Sequence, residues 1–229
     1  LWENPMFKEI IQAFRHQDEV KEMTIQVGEM LDAGHWMFDQ ACAVLLRKAA
    51  WDDVHGPLYE RDAQINKAEQ DIRERIVTHL SVGNNADLAP CLVLMSVVKD
   101  AERIGDYCKN IFEVGKFYHG DFSHRSFSEP LNEIRNTIAS LFDPIKMAML
   151  NQDEPAAERI LHENAGIVKE CNLIVQQLLC LDEELPAAEA VACALLARHY
   201  KRVEAHLTNI TLSIISPVAL LDFFKQVKS

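Results

Sequence analysis

The chain has 229 residues and a formal net charge of −12. That length admits one large domain or two small ones and leaves room for a sizeable core. The acidic balance argues against a nucleic-acid partner, because gripping phosphate backbones takes a cationic surface, and it suits a protein that meets cations or basic surfaces. Eight Gly and eight Pro are few for this length, which favours long helices joined by short connections. Six cysteines, Cys42, Cys91, Cys108, Cys171, Cys180 and Cys193, contain no Cys-x-x-Cys pair and lie mostly in apolar helical stretches. They are expected to be reduced core residues of a cytosolic protein. The apolar runs fall far short of the ~20 residues a membrane helix needs, and no signal peptide is expected.

In chain order, a short helix is expected over Met6 to Phe14, then a long one carrying Val20, Met23, Val27, Met30, Leu31, Phe38, Cys42 and Leu45 at three-four spacing. Trp51 to Pro57 reads as a break, with Pro57 opening the next helix, which runs to about Leu80 with Ile65, Ile72 and Ile76 inward. Val82-Gly-Asn-Asn85 is a turn. The third helix starts near Pro90 and ends around Tyr118-His-Gly120, with Gly120 expected in the left-handed cap. His119 to Glu129 is expected as a linker. A fourth helix then begins at Leu131, and Pro144 should kink or interrupt it. After a turn at Asn151 to Pro155, a fifth helix carries Ile160 through Leu178, and a sixth runs from beyond Pro186 to about Ile215, where Pro217 stops it. The apolar tail Val218 to Phe224 is expected to pack back on the helices.

Within the third helix, Lys99-Asp-Ala-Glu-Arg-Ile-Gly-Asp-Tyr-Cys-Lys-Asn-Ile111 is the most informative stretch. Glu102, Asp106 and Asn110 stack four apart beside the apolar face. The two carboxylates repel on a bare helix by roughly a few tenths of a kcal/mol, which calls for a cation from outside, either an arginine or a metal ion. On the preceding helix Asp62, Asn66, Glu69 and Arg73 form a second polar stripe at the core edge. The stretch also repeats: Arg103 to Ile111 lines up with Arg202 to Ile210, matching in Arg, Asn and the branched aliphatics but not in the acids.

Glu102-Arg-Ile-Gly-Asp106 followed by Asn110-Ile111 is similar to the signature of the PhoU family. The resemblance implies an all-α fold of two tandem antiparallel three-helix bundles, here 1–120 with an N-terminal extension and 121–229 as a degenerate second copy. It also implies a non-enzymatic regulator of phosphate uptake and of the phosphate-starvation response. Such a protein is a cytoplasmic adaptor touching a phosphate transporter or a sensor histidine kinase at the inner membrane face, and often a homodimer. Because the chain opens at Leu1 without a Met, the same resemblance allows a variant: the cytosolic tail of a sodium/phosphate symporter, tethered to its membrane domain. A reading from another class is a metal-dependent enzyme or metal store built on the bundle.

The resemblance carries metal ligands onto Asp62, Glu69, Glu102 and Asp106, with Asn66 and Asn110 as weaker donors; such oxygen donors suit Mg, Mn or Fe, or Zn if His joins. The competing structural reading is an interhelical ion-pair network through Arg73 and Arg103. In the second copy Lys201 and Ala205 stand where Glu102 and Asp106 stand in the first, and Asn164, Val168 and Cys171 replace Asp62, Asn66 and Glu69. A metal is therefore not expected there. His199 and His206, one heptad apart, are expected to share a face, capped or half-exposed. Enzyme signatures are lacking: no Gly-rich phosphate loop, no His-Glu-x-x-His and no paired Glu-x-x-His.

Overall fold

The computed structural model describes residues 5–82, 87–182 and 184–216, with side chains from Glu19 onward. Among the described residues every regular element is a helix: α1 Pro5–Leu45, α2 Trp51–Val82, α3 Leu88–Phe117, α4 Arg125–Asn151, α5 Glu154–Glu163, α6 Ile167–Leu179 and α7 Ala187–Ile215. Each inward face follows the three-four spacing of its sequence. In α4, for instance, Phe127, Leu131, Ile134, Ile138, Leu141, Phe142 and Ile145 are all buried.

α1 to α3 form one set and α4 to α7 another, and the two share a core. α3 packs on α1, α2 and α7, while α7 packs on α3, α4, α5 and α6, so α3 and α7 are the central pair. Between them and the outer helices sit Phe38, Phe142 and Tyr200, with ring centroids 5.9 Å apart for Phe38 against each of the other two. Five of the six cysteines are buried in this core and Cys180 is exposed, a correction to the expectation for that residue.

Several boundaries differ from those the sequence suggests. α1 is one helix, not a short and a long one. α2 begins at Trp51, so Pro57 sits inside it and the break lies earlier, at 46–50. α4 starts at Arg125 and continues through Pro144, whose missing N–H is tolerated within the run of buried apolar contacts. The fifth helix is two, α5 and α6. Asn164 stops α5 by turning its side-chain amide onto the Ile160 carbonyl at 2.8 Å, a bond that competes with the helix, and Gly166 follows. The turn at 83–85 and the apolar tail at 218–224 lie outside the described residues.

Gly120 is not left-handed. Its constraint is space: a Cβ there would lie 2.6 Å from the Tyr118 hydroxyl. The left-handed caps belong to Arg47 (φ 55°) after α1 and Gln152 (φ 51°) after α4. Both close with the same pair of backbone bonds, Arg47 N–H to the Val44 carbonyl and Lys48 N–H to that of Ala43 after α1, and Gln152 to Met149 and Asp153 to Ala148 after α4. The two sets of helices thus repeat each other down to how their first helices end.

Candidate functional site

The α2 stripe and the α3 motif face each other across one seam. Helical spacing puts Asp62 and Glu69 two turns apart on α2, and Glu102 and Asp106 one turn apart on α3. The side chains pair across the seam, Asp62 with Asp106 and Glu69 with Glu102, and a lysine of α3 sits in each pair. Lys109 Nζ lies 2.8 Å from Asp62 Oδ2 and 3.0 Å from Asp106 Oδ1. Lys99 Nζ lies 2.7 Å from Glu102 Oε2 and 3.6 Å from Glu69 Oε1. Two arginines close the seam from outside: Arg103 at 3.3 Å from Asp106 and 3.8 Å from Glu102, and Arg73 at 3.2 Å from Glu69. Asn66 donates its amide to Asp62 at 3.3 Å.

The carboxylates are sheltered, with Asp62, Glu69 and Glu102 side chains only 11–12% exposed. Burial works against the Lys109 ammonium, but its bonds to Asp62 and Asp106 outweigh this and hold the amine above its ordinary range. Charge-assisted bonds in such a setting contribute roughly 1.5–3 kcal/mol each. Four carboxylates therefore meet four cations, all from α2 and α3. This geometry matches the ion-pair reading in its arginines and adds Lys99 and Lys109, which the sequence reading gave no role. Their positions three residues before Glu102 and three after Asp106 were the available signal.

The fit to a resident metal ion follows from the same geometry. Each seat offers two carboxylates with an amine already between them. Among the described residues no three His, Cys, Asp or Glu side chains converge where an ion could bind. As they stand, these residues do not fit a metal centre. Asn110 is not drawn into the seam: it lines a groove between α3 and α7.

The corresponding seam of the second set is built differently. Lys201 donates to the Asn172 side chain at 2.8 Å. Glu204, one residue from the motif position held by Ala205, is buried and accepts from Thr208 at 2.8 Å, while its Oε2 has no partner. Burial raises its pKa above the usual carboxylate range. Neighbouring Cys171 is pushed up to about 12, chiefly by burial and then by Glu204.

The sequence repeat is also a spatial one. In the α3–α7 contact, His206 Nδ1 lies 2.7 Å from Asp100, and Asn209 donates to Asp100 at 3.1 Å. At the two-fold-related place, His199, the counterpart of Asp100, meets the ring of Tyr107 and shares a groove wall with Asn110. Tyr107 and Asn110 are the counterparts of His206 and Asn209. His199 and His206 do share a face, as expected, but His206 is buried in a polar contact the sequence did not announce. Arg202 joins it, donating to the Tyr107 hydroxyl at 3.1 Å and lying 3.4 Å from His206 Nε2.

No helix among the described residues is long and apolar enough to cross a membrane. Residues 27–114 match the family model described as the PhoU domain. No curated protein matches the chain. Among solved structures, the fold is similar to the phosphate transport system regulatory protein PhoU from Streptococcus pneumoniae, with TM-score 0.71 and 17% identity over 91% of this chain and 97% of that one. It is similar as well to PhoU from Pseudomonas aeruginosa, with TM-score 0.69 and 18% identity over 90% of this chain and 96% of that one.

Proposed function

From the premise that the chain carries a PhoU domain across residues 27–114, we propose that it is a non-enzymatic regulator of phosphate transport, acting in the cytoplasm by contact with a membrane-bound phosphate transporter or its sensor kinase. The observation that carries this reading is the agreement of two likenesses. The family model covers the helices that hold the Glu102–Asp106 motif, and the fold of the whole follows that of a phosphate transport regulator. The buried thiols of Cys42, Cys171 and Cys193 are pushed up to about 12, each chiefly by burial, which makes these three inert as nucleophiles.

The test is disruption of the gene in its own host. Phosphate uptake and a phosphate-starvation reporter are then followed in phosphate-rich and phosphate-poor medium. The reading predicts that uptake or the reporter loses its dependence on external phosphate, and that restoring the gene restores it. Unchanged regulation of both would contradict it.

A further inference from the structure

The internal repeat relates the stretch that leaves α3 to the stretch that leaves α7. Both helices end on an extended residue, Tyr118 and Ser216, whose backbone N–H closes the last turn at 2.9 Å, onto the carbonyls of Val114 and Leu212. After α3 the path is described. Tyr118 donates its hydroxyl to the Asp121 carbonyl at 2.8 Å and sets its ring against Phe122, with centroids 4.9 Å apart. Phe122 sits among Leu45 at the end of α1, Leu131 near the start of α4 and Leu196 of α7. The Ser123 hydroxyl and the His124 backbone N–H then donate to Glu189 of α7, at 2.8 and 3.0 Å. Burial, and then Glu189 and Cys193, raise the pKa of the Tyr118 phenol above its ordinary value. This stretch therefore lies over Glu189, Cys193 and Leu196.

The alignment that puts Arg103 with Arg202 puts Pro90, Leu94 and Val97 of α3 with those three residues of α7. Pro90, Leu94 and Val97 line a groove of about 310 Å³, walled on one side by Val20 and Thr24 of α1 and on the other by Met149 and Leu150 of α4. The walls correspond as well: in each half a central helix lies between the end of one set's first helix and an earlier part of the other's. Beside Phe122 only about 150 Å³ is left. In the larger groove no described residue plays the part of Phe122.

The same alignment puts Phe122 with Leu221, and counting from the two extended caps puts it with Leu220. Both leucines lie beyond the described residues. The chain leaves α7 at the groove itself, because Ser213 is part of its lining. Pro217 bars a further helical turn and fits Ser216 in its extended conformation, ψ 142°. From Ser216 to Leu221 the chain can reach about 17 Å, while Pro90 to Val97 spans only about 10 Å along α3. Each stretch also suits what it would cross. Ser123 and His124 are polar and meet the Glu189 carboxylate. Where α3 offers Pro90 and Leu94 instead, the sequence supplies Leu220, Leu221, Phe223 and Phe224.

We propose that residues 218–224 of this chain dock in the groove between α1, α3 and the end of α4, with Leu220 and Leu221 in the place that Phe122 holds in its counterpart. Docking removes apolar surface of both the groove and the stretch from water. It ties the end of α7 to α1 and α4, as the stretch after α3 ties that helix to α7. The docking is independent of any role in phosphate transport.

The test uses the whole 229-residue chain. A benzoyl-phenylalanine is placed at Leu221 or at Phe223, and ultraviolet cross-links are mapped by mass spectrometry. The expected cross-links join that position, within one chain, to Val20 or Thr24, to Val93, Leu94 or Val97, or to Leu150. Cross-links to the exposed faces at Leu88 and Leu92 or at Val191 and Leu195 would overturn the proposal, and so would the absence of any cross-link. Covalent dimers would overturn it too, making the occupant the same stretch of a second copy. A second measurement reads the groove. In Thr24→Cys the new thiol should react with a maleimide about tenfold or more faster once Leu220→Asp and Leu221→Asp are added, because no local opening is then needed to expose it. Equal rates in two folded variants, as judged by circular dichroism, would contradict the docking. If the aspartates unfold the chain, the cross-link map alone decides.

Discussion

The α2–α3 seam and the α6–α7 seam occupy corresponding places in two related sets of helices, yet their chemistry is opposed. In the first, Asp62, Glu69, Glu102 and Asp106 are held by Lys99, Lys109, Arg73 and Arg103. In the second, a buried carboxyl, Glu204, keeps one oxygen unpartnered, and burial favours its neutral form. One helix geometry can thus be closed by internal ion pairs or around a single buried carboxyl whose pKa burial raises. The charged version is sensitive to loss of any one partner, because the other is then left without compensation. The second is sensitive to pH.

The largest effect is expected from Lys109→Met, which leaves Asp62 and Asp106 facing each other without their shared cation. Stability should fall by roughly 2–3 kcal/mol, read from the urea midpoint at unchanged slope. A loss below a few tenths would put the seam among weak surface pairs. The same kind of substitution in the other seam should go the opposite way. Glu204→Gln removes a group that loses its proton in the unfolded chain more readily than in the folded one. A raised folded pKa means this residue subtracts stability as pH rises from about 4.5, the ordinary value, through the folded value. The variant should therefore gain roughly 1 kcal/mol at pH 7 and match the wild type at pH 4; a variant less stable at both would break the contrast.

A second titration lies at the end of the first set. His79 is bonded to Glu19 at 2.6 Å and to Asp87 at 3.0 Å, joining α1 and α2 to the residue before α3. Burial lowers its pKa, but these partners raise it more, and the net shift is upward from 6.5. Its contribution is complete below pH 6.5 and is lost as pH rises through the higher folded value. Melting temperatures should show this loss in the wild type, and the loss should be absent in His79→Gln. The smallest effect concerns the shared cap. Arg47 is left-handed without being glycine, at a cost of about 1 kcal/mol, and its ion pair to Asp121 is exposed. Arg47→Gly should stabilise by about 0.5–1 kcal/mol, and a decrease would mean that the side chain holds the turn.

The all-helical fold and the inward faces were legible because periodicity survives at positions such as Phe127 to Ile145, where every third or fourth residue must be apolar; helix number was not, since the two N-terminal helices are one and the fifth is two. Boundaries were less legible. Pro57 and Pro144 look like breakers in isolation, and neither ends its helix; the packing of Leu58 and Ile145 onto the core holds each helix through its proline. The break at Asn164 was missed because its cause is a side-chain bond back to Ile160, invisible in a hydrophobic pattern. At the seam the acidic residues were found from spacing, but Lys99 and Lys109 were passed over. Both are long side chains whose reach across to α2 depends on the α2–α3 register, which no single-helix pattern contains. Asp100 and His206 were unreadable for the same reason, being far apart in sequence and joined only by the α3–α7 contact.

The claim that the first seam is closed by its own lysines is tested most directly by a double-mutant cycle on Asp62 and Lys109, using Asp62→Asn, Lys109→Met and the pair. The account predicts that the double variant is more stable than the sum of the single losses implies, by a coupling of about 1–3 kcal/mol. Additive losses within about 0.3 kcal/mol would contradict it.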